Sequence, residues 1–197
     1  MIRSGLHEVG RLDLSTKKNI ILVQMAGFLG LVASAFLFLQ AAILLRPDIP
    51  TEASFTFSGM EGLVAIAAGL AVFAGAVLVL VVVHEGVHAF FFWLITGERP
   101  RLGVTGFYAY VGAPPGVTVA RNRYFGIALA PLFVTTVAGL FLLTVVPLIV
   151  LPPLLLILIL NAAGSIGDII VSGWLLRYSP SVLVGDQGIA VVVCRPS

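Results

Sequence analysis

Residues Gly62–Ile95 read GLVAIAAGLAVFAGAVLVLVVVHEGVHAFFFWLI. A helix needs roughly 20 apolar residues to cross the hydrocarbon core of a bilayer, and these 34 residues carry one charged side chain, Glu85. A soluble core helix has no use for so long an apolar run, so the stretch predicts a transmembrane helix. Working outward, the same test finds three more spans, Ile20–Leu45, Tyr124–Val150 and Leu154–Leu176. Pro152-Pro153 is expected to force the short turn between the last two, because proline cannot continue a helix. Met1–Asn19 reads as a retained tail, with four basic residues before the first apolar run and no cleavage site of small residues. The expected fold is an all-α polytopic membrane protein with four transmembrane helices, one membrane-embedded domain over residues 1–197.

Composition agrees with that reading. Of the 197 residues 59% are hydrophobic and 10% are charged, and mean hydropathy is +1.12. A typical soluble domain is about 45–50% apolar and about 25% charged, so a soluble enzyme and a disordered tail are excluded. A formal charge of +2, scattered along the chain, gives no phosphate-binding surface and no nucleic-acid partner. The one cysteine, Cys194, excludes a disulfide framework and a Cys-rich zinc module.

Lysine and arginine counts in the loops predict orientation. Arg3, Arg11, Lys17 and Lys18 precede the first span; Arg99, Arg101, Arg121 and Arg123 flank the loop after the second; Arg177 and Arg195 follow the fourth. Only Arg46 lies on the other side. Both termini are therefore expected in the cytoplasm, with the chain integral to the cell membrane and the lipid bilayer as its surroundings.

Eighteen of the charged residues lie outside these spans; Glu85 and Asp168 lie inside. An ionisable group at membrane depth costs about 2.5–3.5 kcal/mol on insertion scales and marks a functional site by default. His84-Glu85-Gly86-Val87-His88 is an H-E-x-x-H pattern. Positions i and i+4 share a helix face, so both imidazoles can reach one Zn²⁺ with the glutamate as general base. A catalytic zinc usually has three protein ligands and an open position. The available thirds are His7 in the tail, Cys194 near the C-terminus and Asp168. Depth favours Asp168. It lies about 14 Å before Arg177 and His84 about 16 Å before Ile95 at the helical rise, both measured from expected cytoplasmic ends. The expected site is thus His84, His88 and Asp168 as metal ligands and Glu85 as catalytic base.

Asn161, Ser165 and Asp168 form one polar stripe at helical spacing, with Gly164 and Gly167 expected to admit a neighbouring helix closely. Ser165 reads as an interhelical hydrogen-bonding residue. Asn161 reads equally as that or as a group orienting a ligand or a bound peptide carbonyl. In the Thr96–Arg123 loop, Leu102–Val111 is β-rich, and Pro114-Pro115-Gly116 is expected to turn it back onto Val117–Ala120 as a short cytoplasmic hairpin. Such a hairpin could hold a peptide by strand addition or merely pack as a lid. Pro131 is expected to bend the third span.

The stretches HEGVHAFFFWLITGERPRLG, ALAPL (Ala128–Leu132), NAAGSIGD (Asn161–Asp168) and VGDQG (Val184–Gly188) resemble a prokaryotic family of membrane proteins classed as putative zincin peptidases. More distantly the plan is similar to site-2 protease-type intramembrane zinc metalloproteases, with H-E-x-x-H on one span and an aspartate on a later one. The resemblance implies an intramembrane zinc metalloprotease hydrolysing peptide bonds of a membrane protein or peptide substrate near the cytoplasmic side. The alternative is a membrane metal-binding protein, a divalent-cation carrier or sensor, that does no hydrolysis.

Overall fold

A computed structural model describes residues 5–49, 59–105 and 108–196. Among the described residues, four helical segments are long and apolar enough to cross a membrane: Lys17–Leu45, Gly59–Thr96, Arg121–Val145 and Leu148–Leu175. The first two are single helices, α1 (Lys17–Leu45) and α2 (Gly59–Thr96). α1 begins where Thr16 Oγ1 accepts the N–H of Asn19 at 3.4 Å, a side-chain N-cap. Large apolar side chains such as Phe28, Leu37 and Leu70 stand more than 60% exposed along α1 and α2. Such a surface suits hydrocarbon rather than water.

The third and fourth segments are each broken. The third is α3 (Arg121–Ala128) and α4 (Ala130–Val145), parted at Leu129 just before Pro131, as the proline leads one to expect. The fourth is a 3₁₀ turn over Leu148–Val150, then α5 (Leu151–Gly164) and α6 (Ile166–Leu175), parted at Ser165.

The helix boundaries around the last connection differ from expectation. The third span ends at Val145 rather than Val150, and Pro152-Pro153 lie in the first turn of α5 instead of in the connecting turn. Proline is tolerated there because the N–H groups of a first turn have no intrahelical acceptor to lose. The chain reverses instead around Val146-Pro147, both extended.

Close approach between helices depends on other glycines than expected. A Cβ on Gly164 or Gly167 would meet nothing within 4 Å, so neither is a packing notch. The tight contacts are Gly30, where a Cβ would sit 2.9 Å from Ile166, and Gly139, where it would run into Leu158. Ser34 Oγ on α1 also donates to the Ile159 carbonyl at 3.1 Å. Small residues thus bring α1 and α4 onto α5 and α6, as packing within lipid requires.

The segments before α1 and after α6 are paired strands. Leu6–Asp13 is a strand, β1, antiparallel to Ala190–Pro196, β6. Between Glu8 and Gly10 the register shifts, which breaks the two-residue alternation that would otherwise betray β1 in the sequence. The shift lies against Tyr178, whose hydroxyl occupies the space a Cβ on Gly10 would fill. The loop hairpin is also shorter than expected. Arg101–Thr105 (β2) pairs with Tyr108–Gly112 (β3), so the Leu102–Val111 stretch supplies most of both strands rather than one. Val119–Ala120 (β4) joins Leu183–Asp186 (β5) instead of turning back on the hairpin. The sheet order is β1-β6-β5-β4, with the β2–β3 hairpin apart from it. Residues 106–107 of the hairpin stretch and Arg3 lie outside the described residues.

The sheet gathers the start of α1, the end of α2, the start of α3 and the end of α6 at one end of the bundle, through Leu14 N–H to Ile189 O and Arg121 N–H to Val182 O. Buried Val182, Val184, Val191 and Val193 pack there against Phe92, Tyr124 and Leu175. At the far end, Arg46 donates to the Leu143 and Val146 carbonyls at 3.1 and 2.7 Å and pairs with Asp48 at 2.7 Å. The lone arginine of that side therefore satisfies the open carbonyls at the C-terminus of α4.

Candidate metal centre

His84 and His88 lie one turn apart on α2, rings edge to face with centroids 4.9 Å apart. Asp168 comes from the first turn of α6. A carboxylate is favoured there, because the first N–H groups of a helix carry partial positive charge. The break at Ser165 thus gives Asp168 a helix N-terminus deep in the bundle, which an unbroken span would deny it.

The three side chains converge. His84 Nε2 is 3.5 Å from Asp168 Oδ2, and His88 Nε2 is 3.6 Å from Oδ1. One ligand atom from each lies within 4.8 Å of the others, close enough for all three to hold one metal ion. Zinc–N and zinc–O bonds of about 2.0–2.1 Å in a tetrahedron place neighbouring donors about 3.4 Å apart. Two neutral nitrogens and one carboxylate at these separations fit that ion.

Each imidazole is held from behind. His84 Nδ1 lies 3.0 Å from Asn161 Oδ1, and His88 Nδ1 lies 3.0 Å from the Ile127 carbonyl. Both partners are acceptors, so each ring carries a proton on Nδ1 and turns its Nε2 toward Asp168. Metal-ligating histidines are commonly fixed this way. Of the two expectations for Asn161, interhelical bond or orienting group, the structure joins both, since the bond crosses from α5 to α2 and orients His84. Ser165 Oγ donates to the Asn161 carbonyl one turn back at 2.9 Å and takes no part in the cluster. His7 on β1 and the buried Cys194 on β6 are sheet residues away from it.

Glu85 lines a cavity of about 530 Å³ together with His84, His88 and Asp168. Gly164 and Gly167 also face this cavity, so the open space beside them is part of the site.

Two residues of the cavity wall were not expected from the sequence, Tyr124 and Asp186. The Tyr124 hydroxyl donates to Asp186 Oδ2 at 2.7 Å, and the Gly188 N–H donates to Oδ1 at 2.7 Å. Burial pushes the Asp186 carboxyl up to about 6, against the opposing pull of these two donors. By hydropathy Asp186 belongs to a polar tail. Its only signal was membership of the VGDQG stretch.

A family model described as putative zincin peptidase matches residues 77–183, more than half of the chain, and the chain belongs to that family. No curated protein and no solved structure matches it.

Proposed function

We propose that this zincin-family chain is a membrane zinc metallopeptidase that hydrolyses a peptide bond of a membrane-associated protein or peptide. The observation that supports the reading best is the convergence of His84, His88 and Asp168 beside Glu85 in one cavity. A zinc ion held by these three residues would supply Lewis acidity, polarising the scissile carbonyl and acidifying a water. Glu85 takes the proton of the attacking water on its carboxylate and passes it to the nitrogen of the departing amine. Asn161 and the Ile127 carbonyl keep the imidazoles in one tautomer throughout. A metal carrier needs no carboxylate between its histidines, and this separates the hydrolytic reading from the carrier reading.

The distribution of lysine and arginine supports a cytoplasmic sheet end and a cleavage near that side. Similarity of plan to site-2 proteases, an H-E-x-x-H helix and a later aspartate, supports action on a bond within or beside the membrane. Ala109, Tyr110 and Val111 of β3 form part of the cavity wall, so a substrate laid along that strand would pass Glu85.

The test uses full-length protein in liposomes with quenched-fluorescence single-span peptides. Zinc-dependent cleavage is expected in wild type, with stoichiometric metal retained and cleavage abolished in Glu85→Gln. Zinc flux that requires His84 and His88 but is indifferent to Glu85, without cleavage of any peptide, overturns hydrolysis in favour of a carrier.

A further inference from the structure

In an unbroken α-helix the carbonyl of residue i accepts the N–H of residue i+4. Four residues beyond Ile127 stands Pro131, which has no N–H to give. The helix parts at Leu129, between α3 and α4. The Ile127 oxygen is thereby withheld from the ladder, and it accepts the Nδ1–H of His88 at 3.0 Å. An alanine at the same position would aim a backbone donor at that oxygen and compete with the imidazole for it.

Pro131 acts on the other histidine as well. Its own carbonyl oxygen takes the Asn161 Nδ2–H at 3.2 Å. A carbonyl only accepts, so the amide must turn its NH₂ toward Pro131 and its Oδ1 toward His84, 3.0 Å away. His84 must then hold its proton on Nδ1. Asn161 is 1% exposed, so no solvent offers the amide a reversed arrangement.

We propose that Pro131 is the positioning residue for both imidazoles. By the N–H it lacks it frees Ile127 for His88, and by the carbonyl it presents it sets Asn161 and, through that amide, His84. Both Nε2 atoms then face the Asp168 carboxylate, at 3.5 and 3.6 Å. The inference rests on the metal-binding reading above, and it concerns a residue that touches neither metal nor substrate.

The experiment measures metal binding on full-length protein in detergent, by chelator competition for Zn²⁺ and by the visible absorption of the Co²⁺-loaded protein. ¹⁵N shifts of the metal-free protein report the histidine tautomers. Three variants are compared with wild type. Pro131→Ala restores the N–H and is expected to weaken zinc binding about 10–100-fold, the usual effect of losing a partner behind a metal ligand. It is also expected to alter the Co²⁺ spectrum and mix the His88 tautomers. Replacing Pro131 by lactic acid through nonsense suppression removes the ring but still presents no N–H, and is expected to bind zinc as wild type does. Pro153→Ala, in the first turn of α5, is expected to change nothing at the metal.

Zinc affinity of Pro131→Ala within about twofold of wild type, with an unchanged Co²⁺ spectrum, overturns the role of Pro131 and leaves the metal reading standing. A wild-type protein that binds no stoichiometric metal overturns the metal reading itself. If Pro131→Ala does not fold, the lactic acid variant decides: a folded protein with weakened zinc binding refutes the role of the missing N–H, and wild-type affinity supports it.

Discussion

His84 Nδ1 lies 3.0 Å from the side-chain oxygen of Asn161, across 77 residues of sequence and from one long apolar helical segment to another. The opposite nitrogen of the same ring faces Asp168 at 3.5 Å. One buried amide thus holds a proton on His84 Nδ1 and fixes where the ring points its Nε2.

Asn161→Ala removes that acceptor and leaves the His84 ring free to turn. Zinc affinity is expected to fall about 10–100-fold, measured by chelator competition in detergent. An affinity equal to wild type would show that helix packing alone holds the ring.

Metal removal should be visible as lost stability. An ion that binds only the folded chain stabilises it by about 4 kcal/mol when present at about 1,000 times its Kd. Thermal unfolding with and without zinc is expected to show this shift in wild type. His88→Ala and Asp168→Asn are expected to abolish most of it, because each removes a donor of the three-residue cluster.

Asp186 gives the metal-free protein a pH dependence of definite sign. Its carboxyl titrates at about 6 when folded, against about 3.9 in an unfolded chain. The folded state therefore holds this proton more tightly. The resulting stabilisation is full below about pH 3.9 and is lost as pH rises through about 6, a change of about 3 kcal/mol. Wild type should lose stability relative to Asp186→Asn between pH 4 and pH 7. Parallel unfolding curves for the two proteins across that range would refute it.

Gly188 sits at φ +88°, and a Cβ there would collide with the Tyr110 ring. Gly188→Ala is expected to cost about 1–3 kcal/mol through the strained backbone, with further loss from the clash. Because Tyr110 lies on β3, the hairpin should loosen first. Limited proteolysis is expected to cut the Arg101–Gly112 region faster in the variant, at a temperature where the helices remain intact.

Four spans, the asymmetry of basic residues and the candidates His84, Glu85, His88 and Asp168 were all legible in the amino-acid sequence. Each rests on local chemistry: apolar runs long enough for a bilayer, a four-residue spacing that puts two imidazoles on one face, and carboxylates conspicuous where charge is otherwise absent. Pro131 was legible as a bend but not as a bend with a purpose.

The sheet and the groups behind His84 and His88 were decided by tertiary structure. β1 and β6 join the two ends of the chain, with Leu6 opposite Pro196, and short strands so far apart announce no partner in composition. Asp186 reads as a tail residue until β5 carries it to Tyr124. The acceptor for His88 is a backbone carbonyl 39 residues away. Every residue has such an oxygen, so no side-chain identity marks it. Only the fold, through a proline that leaves it without a helical donor, shows which oxygen is free to hold a histidine.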